Sequence, residues 1–240
     1  MRKTFCPRSL NFSNSAVTGP RCNLLVMKFS ASAILFDNDG VLVDSHAAAK
    51  KAWDIWATEF SPGYDLDKAN NAGRRAEDMV RELVSPELFV VANDRINALE
   101  QETAHLTIPM AGAKELLLSL NPGTWTICTS ANPNLGRARL EAAGLPIPKE
   151  LVTGDDVKQG KPHPDPYLLG AKNLGFDPQD CIVFEDAEAG VISAIEAEIG
   201  LVIGVGERAV KSQADIVVRD LTGISFDGED IVIPDLIRIR

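Results

Sequence analysis

From residue 111 to residue 218 the chain alternates short apolar runs with amphipathic stretches of helical period. That pattern predicts helices over 113–120, 134–143, 166–174 and 187–198, and strands over 125–128, 151–153, 181–184, 201–205 and 215–218. A further apolar run, Ala33-Ile34-Leu35-Phe36, reads as a buried strand upstream of them. Strands that alternate with helices pair in parallel through right-handed crossovers, so the expected class is α/β, a three-layer core with a parallel sheet. The stretch between breaks the alternation: 46–60 reads as one amphipathic helix carrying Trp53, Ile55, Trp56 and Phe60, and 67–83 and 86–106 are charged, helical in period and free of strand-like runs. An all-helical insertion over 49–108 therefore divides a core made of 32–48 and 109–240.

Composition fits such a chain. With 240 residues, 45% of them apolar, it can bury one good core and still carry an insertion. No apolar stretch approaches the roughly 18 residues that suggest a membrane span. Cys6, Cys22, Cys128 and Cys181 show no paired spacing, and the last two sit inside apolar runs as small hydrophobes, so a reduced, cytoplasmic protein is expected. The formal charge of −10 argues against a nucleic-acid-binding surface and would repel an anionic ligand unless local cations offset it. Residues 1–31 differ from the rest: Arg2, Lys3, Arg8, Arg21 and Lys28 stand among them without one acidic residue, leaving 19 basic against 34 acidic side chains beyond, a charge of −15. The expectation is a disordered basic leader, or an upstream start placed before Met27, with an organellar transit peptide as the alternative.

The chemistry begins at Asp37-Asn38-Asp39-Gly40, directly after the first apolar run. The C-terminal lip of a buried strand is where open α/β sheets hold ligands. Alternation lets Asp37 face a ligand, and the turn at Gly40 swings Asp39 back over it with its backbone carbonyl available to a metal. One carboxylate can attack a phosphoryl group while the other shuttles a proton; an ordinary Asp-Gly turn is the plain alternative.

Residues 37–45, Asp-Asn-Asp-Gly-Val-Leu-Val-Asp-Ser, resemble the first motif of the haloacid dehalogenase superfamily, and three more motifs follow in order: Thr129 behind the run 125–128, Lys161 in Gly160-Lys161-Pro162-His163-Pro164-Asp165, and Glu185-Asp186 behind the run 181–184. The resemblance covers residue 32 to the C-terminus. It implies a Rossmann-like core with a helical cap over 49–108, Asp37 as nucleophile and Asp39 as general acid/base. Alone, Lys161 reads as a solvated lysine, Thr129 as a strand-end hydroxyl and Glu185-Asp186 as a helix N-cap pair. Together they suit a phosphomonoester, which carries about two negative charges near neutral pH. Asp37, Asp39, Glu185 and Asp186 suit Mg²⁺, a hard ion that takes carboxylate and carbonyl oxygens. Lys161 adds a fixed charge, and Thr129, Ser130 and nearby N–H groups donate to the phosphoryl oxygens.

Within the superfamily, dehalogenases lack the second aspartate, and phosphonatases need a cap lysine where Gly73-Arg74-Arg75-Ala76-Glu77-Asp78 offers arginines, which form no imine. Residues 153–167 resemble the glycerol-phosphate and 2-deoxyglucose-6-phosphate phosphatases, although Ala72 replaces the histidine often found before that glycine. Ala49 stands where β-phosphoglucomutases carry a histidine. The resemblance thus implies a Mg²⁺-dependent phosphatase that hydrolyses small sugar or polyol phosphates through an aspartyl-phosphate, with Arg74 and Arg75 reaching the substrate and His163 structural. A sugar-phosphate mutase and a non-catalytic phospho-ligand-binding module are the alternatives. The expected partner is a small phosphorylated metabolite, with no nucleic acid or membrane, on a monomer or weak homo-oligomer.

Overall fold

The computed structural model describes residues 15–16, 25–68 and 71–240. Six strands, β1 (Ala33–Phe36), β2 (Trp125–Cys128), β3 (Leu151–Val152), β4 (Cys181–Glu185), β5 (Leu201–Val205) and β6 (Ile216–Val218), pair in parallel in the order β6-β5-β4-β1-β2-β3. The α-helices are α1 (His46–Phe60), α2 (Ala76–Leu83), α3 (Phe89–Thr103), α4 (Ala113–Ser119), α5 (Pro133–Ala142), α6 (Asp165–Leu174) and α7 (Glu188–Glu196).

Every residue of β1 and β4 is buried, and side chains alternate between the two faces. Ile34 and Phe36 pack with Leu116, Leu117 and Leu140 of α4 and α5. Ala33 and Leu35 pack with Tyr167, Ala171, Val191 and Ala194 of α6 and α7. Helices thus cover both faces, which is the three-layer arrangement the alternation predicts. The boundaries move little: the strands over 125–128 and 201–205 fall where expected, and α5 begins one residue early because Asn132 caps it, accepting the Leu135 N–H at 2.9 Å with Pro133 at the first helical position.

The insertion has an apolar cluster of its own. Trp53, Trp56, Val80, Ile96 and Leu99 are buried together, with the Trp53 and Trp56 rings 5.1 Å apart. The Trp56 indole N–H donates to the Ala92 carbonyl at 2.8 Å and ties α1 to α3. The connections in and out pair with each other, Val43–Asp44 against Ile108–Pro109, as a short antiparallel ribbon. Helix α1 starts at His46 and so crosses the expected boundary at 49. The helix expected over 67–83 is shorter, Ala76–Leu83, because Gly73 at φ +81° turns the chain just before it.

The leader expectation is corrected at its end. Leu25–Ser30 is a strand, paired antiparallel with Asp230–Pro234 in a second sheet that also holds Ser15–Ala16 and Ser225–Phe226. Phe29, Ile231 and Ile233 bury there against the main core. Residues 1–14 and 17–24, with Cys6 and Cys22, lie outside the described residues. Among the described residues no helix is long and apolar enough to cross a membrane.

Candidate active site

The C-terminal ends of β1, β2 and β4 open into a cleft of about 1060 Å³ between the sheet and helices α1–α3. Asp37 leaves β1 with its N–H bonded to the Phe184 carbonyl at 2.9 Å, which fixes it at the centre of the floor. The chain then turns at Gly40, where φ is +91° and a Cβ would lie 2.2 Å from Asp186 Oδ2. Only glycine allows Asp186 that close.

Lys161 is fully enclosed beneath this floor. Its Nζ donates to Asp37 Oδ1 and to Glu185 Oε1, both at 2.6 Å. Glu185 is held from three sides, since Oε1 also accepts the Tyr167 hydroxyl at 3.1 Å and Oε2 the Ala187 N–H at 2.9 Å. Gly190 makes room for it, because a Cβ there would collide with Oε1. Thr129 is buried at the end of β2, its hydroxyl oxygen accepting the Ala131 N–H at 3.1 Å.

Charge on this floor is unbalanced. Ligand oxygens of Asp37, Glu185 and Asp186 all lie within 4.8 Å of one another, and one buried ammonium faces them. Burial raises the Asp37 carboxyl well above the ordinary carboxylate range; Lys161 opposes the rise, while Glu185 and Asp186 add to it. Asp186 is pushed up to about 7, first by burial and then by Glu185, against the pull of Arg208. Burial works against the Lys161 charge, yet Asp37 and Glu185 outweigh it and hold the ammonium above its usual range. A buried, oxygen-only donor set with surplus negative charge fits a hard divalent cation. Glu185, spent on Lys161, Tyr167 and a backbone N–H, serves to hold the lysine, while Asp37 and Asp186 present oxygens to the cleft.

Asp39 stands one turn further along. Its Oδ1 accepts the Ser45 hydroxyl at 2.5 Å and Arg139 Nη1 at 2.9 Å. The same guanidinium donates through Nη2 to Glu100 Oε1 at 3.1 Å.

The remaining expected site residues line the cleft with their polar groups already engaged. Ser130 donates its hydroxyl to the Gly73 carbonyl at 2.7 Å, so it joins core to insertion. Arg74 pairs with Glu82 and with Asn71 Oδ1. Arg75 pairs with Asp78 at 2.8 Å and reaches the Gly154 carbonyl at 3.3 Å, lying so close over Gly160 that a Cβ there would come within 2.8 Å of its Cδ. His163 is exposed, and its backbone carbonyl accepts the Ser193 hydroxyl at 2.6 Å.

Four residues of the site escaped the sequence reading: Arg139, Glu100, Tyr167 and Arg208, which pairs with Asp186. Two of them carried a signal. Arg139 follows Leu135 by four positions and Glu100 follows Ile96 by four, so each puts a charge on the buried stripe of its helix, with opposite signs.

A family model, haloacid dehalogenase-like hydrolase, matches residues 31–198. The chain belongs to that family. It is 40% identical to hexitol phosphatase A of Escherichia coli over 75% of this chain and 83% of that protein, and 34% identical to 2-deoxyglucose-6-phosphate phosphatase 1 of Saccharomyces cerevisiae over 82% and 91%. Among solved structures it resembles a hydrolase from Pseudomonas syringae, with a TM-score of 0.70 at 27% identity over 79% of this chain and 93% of that one.

Proposed function

We propose that the chain is a Mg²⁺-dependent phosphoric monoester hydrolase acting on small sugar or polyol phosphates, with 32–48 and 109–240 as the catalytic core and 49–108 as a cap over the cleft. The observation that carries this reading is the clamp at the floor: Lys161 bound at 2.6 Å to Asp37, with Asp186 beside it and Asp39 facing the same cleft. The phosphatases to which the chain is similar support it.

With Oδ1 held by Lys161, Asp37 attacks phosphorus through Oδ2. The bond from phosphorus to the ester oxygen breaks, and Asp39 gives its proton to the departing alkoxide. Asp39 then takes a proton from water as that water attacks the aspartyl-phosphate, the bond to Asp37 breaks, and inorganic phosphate leaves. Lys161 and the Thr129 hydroxyl stabilise the equatorial oxygens throughout. Asp37, Asp186 and the Asp39 backbone carbonyl would hold Mg²⁺, which when bound neutralises charge on the phosphoryl group and lets a carboxylate approach it.

The other end of the cleft supports a neutral polyhydroxy group. Asn93, Asn97 and Gln101 recur every four residues along α3 and line it, and Asn93 Oδ1 is buried with no partner among the described residues. Each arginine lining the cleft already has a carboxylate: Arg74 has Glu82, Arg75 has Asp78, Arg139 has Asp39 and Glu100, and Arg208 has Asp186. A second phosphate would meet no uncommitted guanidinium, which favours monophosphates over the bisphosphate a mutase needs. Buried free thiols at Cys128 and Cys181 and the charge of −10 support a cytoplasmic enzyme, monomeric or weakly self-associating, that binds neither nucleic acid nor membrane.

Phosphate release from hexitol, deoxyglucose and glycerol phosphates, measured with Mg²⁺ and in excess EDTA, tests the proposal. Release that depends on Mg²⁺ is expected. Full activity in EDTA, or conversion of β-glucose 1-phosphate to the 6-phosphate with little free phosphate, would contradict it.

A further inference from the structure

Arg139 is an arginine almost without solvent contact, its side chain 7% exposed, placed between two carboxylates from different parts of the molecule. Nη1 meets Asp39 on the catalytic loop, and Nη2 meets Glu100 on cap helix α3, itself 8% exposed. The guanidinium is planar and rigid, so these two contacts fix the Asp39 carboxylate relative to α3. Among the described residues Arg139 Nε is buried without a partner, so there the side chain leaves one hydrogen bond unmade while it spans both carboxylates. Buried ion pairs of this sort add little to stability compared with well-packed apolar groups. The arrangement therefore calls for a reason other than holding the fold.

We propose that Arg139 is a positioning residue that sets the acid/base carboxylate of Asp39 in register with the cap, so that proton transfer is efficient only while α3 is seated on the core. This rests on the reading of Asp39 as the acid/base. Ser45 and Arg139 both bind Oδ1 and immobilise that end of the carboxylate, while Oδ2, which accepts the Asn38 amide at a long 3.5 Å, passes its proton to the leaving oxygen and later takes one from water. Other core-to-cap links, such as the amide contact of Asn132 to Asn97 at 3.2 Å, touch no reacting group. Arg139 alone joins the cap to Asp39 by direct contact at both ends, among the described residues.

The test compares two leaving groups in a single turnover with full-length protein and Mg²⁺. Glycerol phosphate needs a proton on its departing oxygen, whereas p-nitrophenyl phosphate needs little. General acid catalysis is worth about a hundredfold or more, so Arg139→Met should slow release of glycerol by roughly thirtyfold or more and release of p-nitrophenolate by no more than about threefold. Arg139→Lys should recover only part of the loss, because an ammonium cannot span both carboxylates. Glu100→Gln keeps the contact to Asp39 but removes the charge on the cap, and should give a smaller loss with the same bias toward glycerol phosphate. Equal losses on both substrates in a folded Arg139→Met would mean a structural role and overturn the proposal. If Arg139→Met does not fold, Glu100→Gln decides, and wild-type behaviour on both substrates would overturn the coupling to the cap. A wild type inactive on both esters would refute the phosphatase reading itself, a result distinct from these.

Discussion

The floor of the cleft and its cap wall are built from similar residue types and organised in opposite ways. On the floor, the buried Asp37, Glu185 and Asp186 crowd together, three carboxylates against two cations, Lys161 on Asp37 and Glu185 and the exposed Arg208 on Asp186. On the cap wall, the two arginines that line the cleft are neutralised locally: Arg74 by Glu82 and Arg75 by Asp78, both within the same short segment. Unbalanced buried charge costs stability and persists where a ligand completes it; balanced, half-exposed pairs cost little and orient a surface. The floor is thus where chemistry is expected, and under the proposed function the cap wall is where the rest of the substrate would be read.

Removing the proposed nucleophile, Asp37, probes the floor most severely. Asp37→Asn is nearly isosteric, so the fold should survive while phosphate release falls at least about a thousandfold. Residual activity above about one per cent would break the account of the floor.

Glu185→Ala should act on stability as well as rate. It strips Lys161 and Tyr167 of their shared acceptor, and removing one partner of a buried pair costs about 3–5 kcal/mol. Denaturant midpoints should show that loss, whereas Asp186→Ala should spare the fold more and abolish stabilisation by Mg²⁺. Equal Mg²⁺ responses in the two variants would contradict the division of roles between the carboxylates.

A pH series without metal sharpens the contrast further. Burial pushes Asp186 up to about 7 and raises Asp37 too, so at these two groups the folded state holds more protons than the unfolded one as pH rises towards 7. Stability should fall as pH rises through that window, Mg²⁺ should offset the fall, and Asp186→Asn should flatten it. Thermal midpoints in EDTA at pH 5.5 and 7.5 report this. A midpoint that rises with pH would mean that the floor is not short of positive charge.

The smallest effects belong to the cap. Arg74→Ala, which removes a partly exposed pair, should change KM for a sugar phosphate by no more than about threefold. Arg75→Ala should raise it more, because Arg75 also seats the cap on Gly154 and Gly160. Both should leave p-nitrophenyl phosphate nearly unaffected. The reverse order would break the assignment of Arg75 to docking.

These differences follow what was legible in the sequence. The core was readable because its signals are local: four-residue apolar runs ending in Asp37, Thr129 and Asp186, with Lys161 in a Pro-rich loop between them. Residues 25–30 were misread because their strand partner lies some two hundred positions away at Asp230–Pro234, and a single half-buried strand carries little pattern of its own. The cap arginines were recognised as candidates, yet their partners depend on how α2 turns after Gly73, which spacing did not reveal. Arg139 and Glu100 sat in plain view on apolar stripes, and their meeting needed the packing of α3 against α5.

Rapid acid quench of a reaction with ³²P-labelled hexitol phosphate and Mg²⁺, followed by peptide mapping, tests the central claim most directly. The account predicts transient label on the peptide containing Asp37, labile to hydroxylamine and missing in Asp37→Asn. Turnover without any labelled protein species, or label carried on another residue, would contradict it.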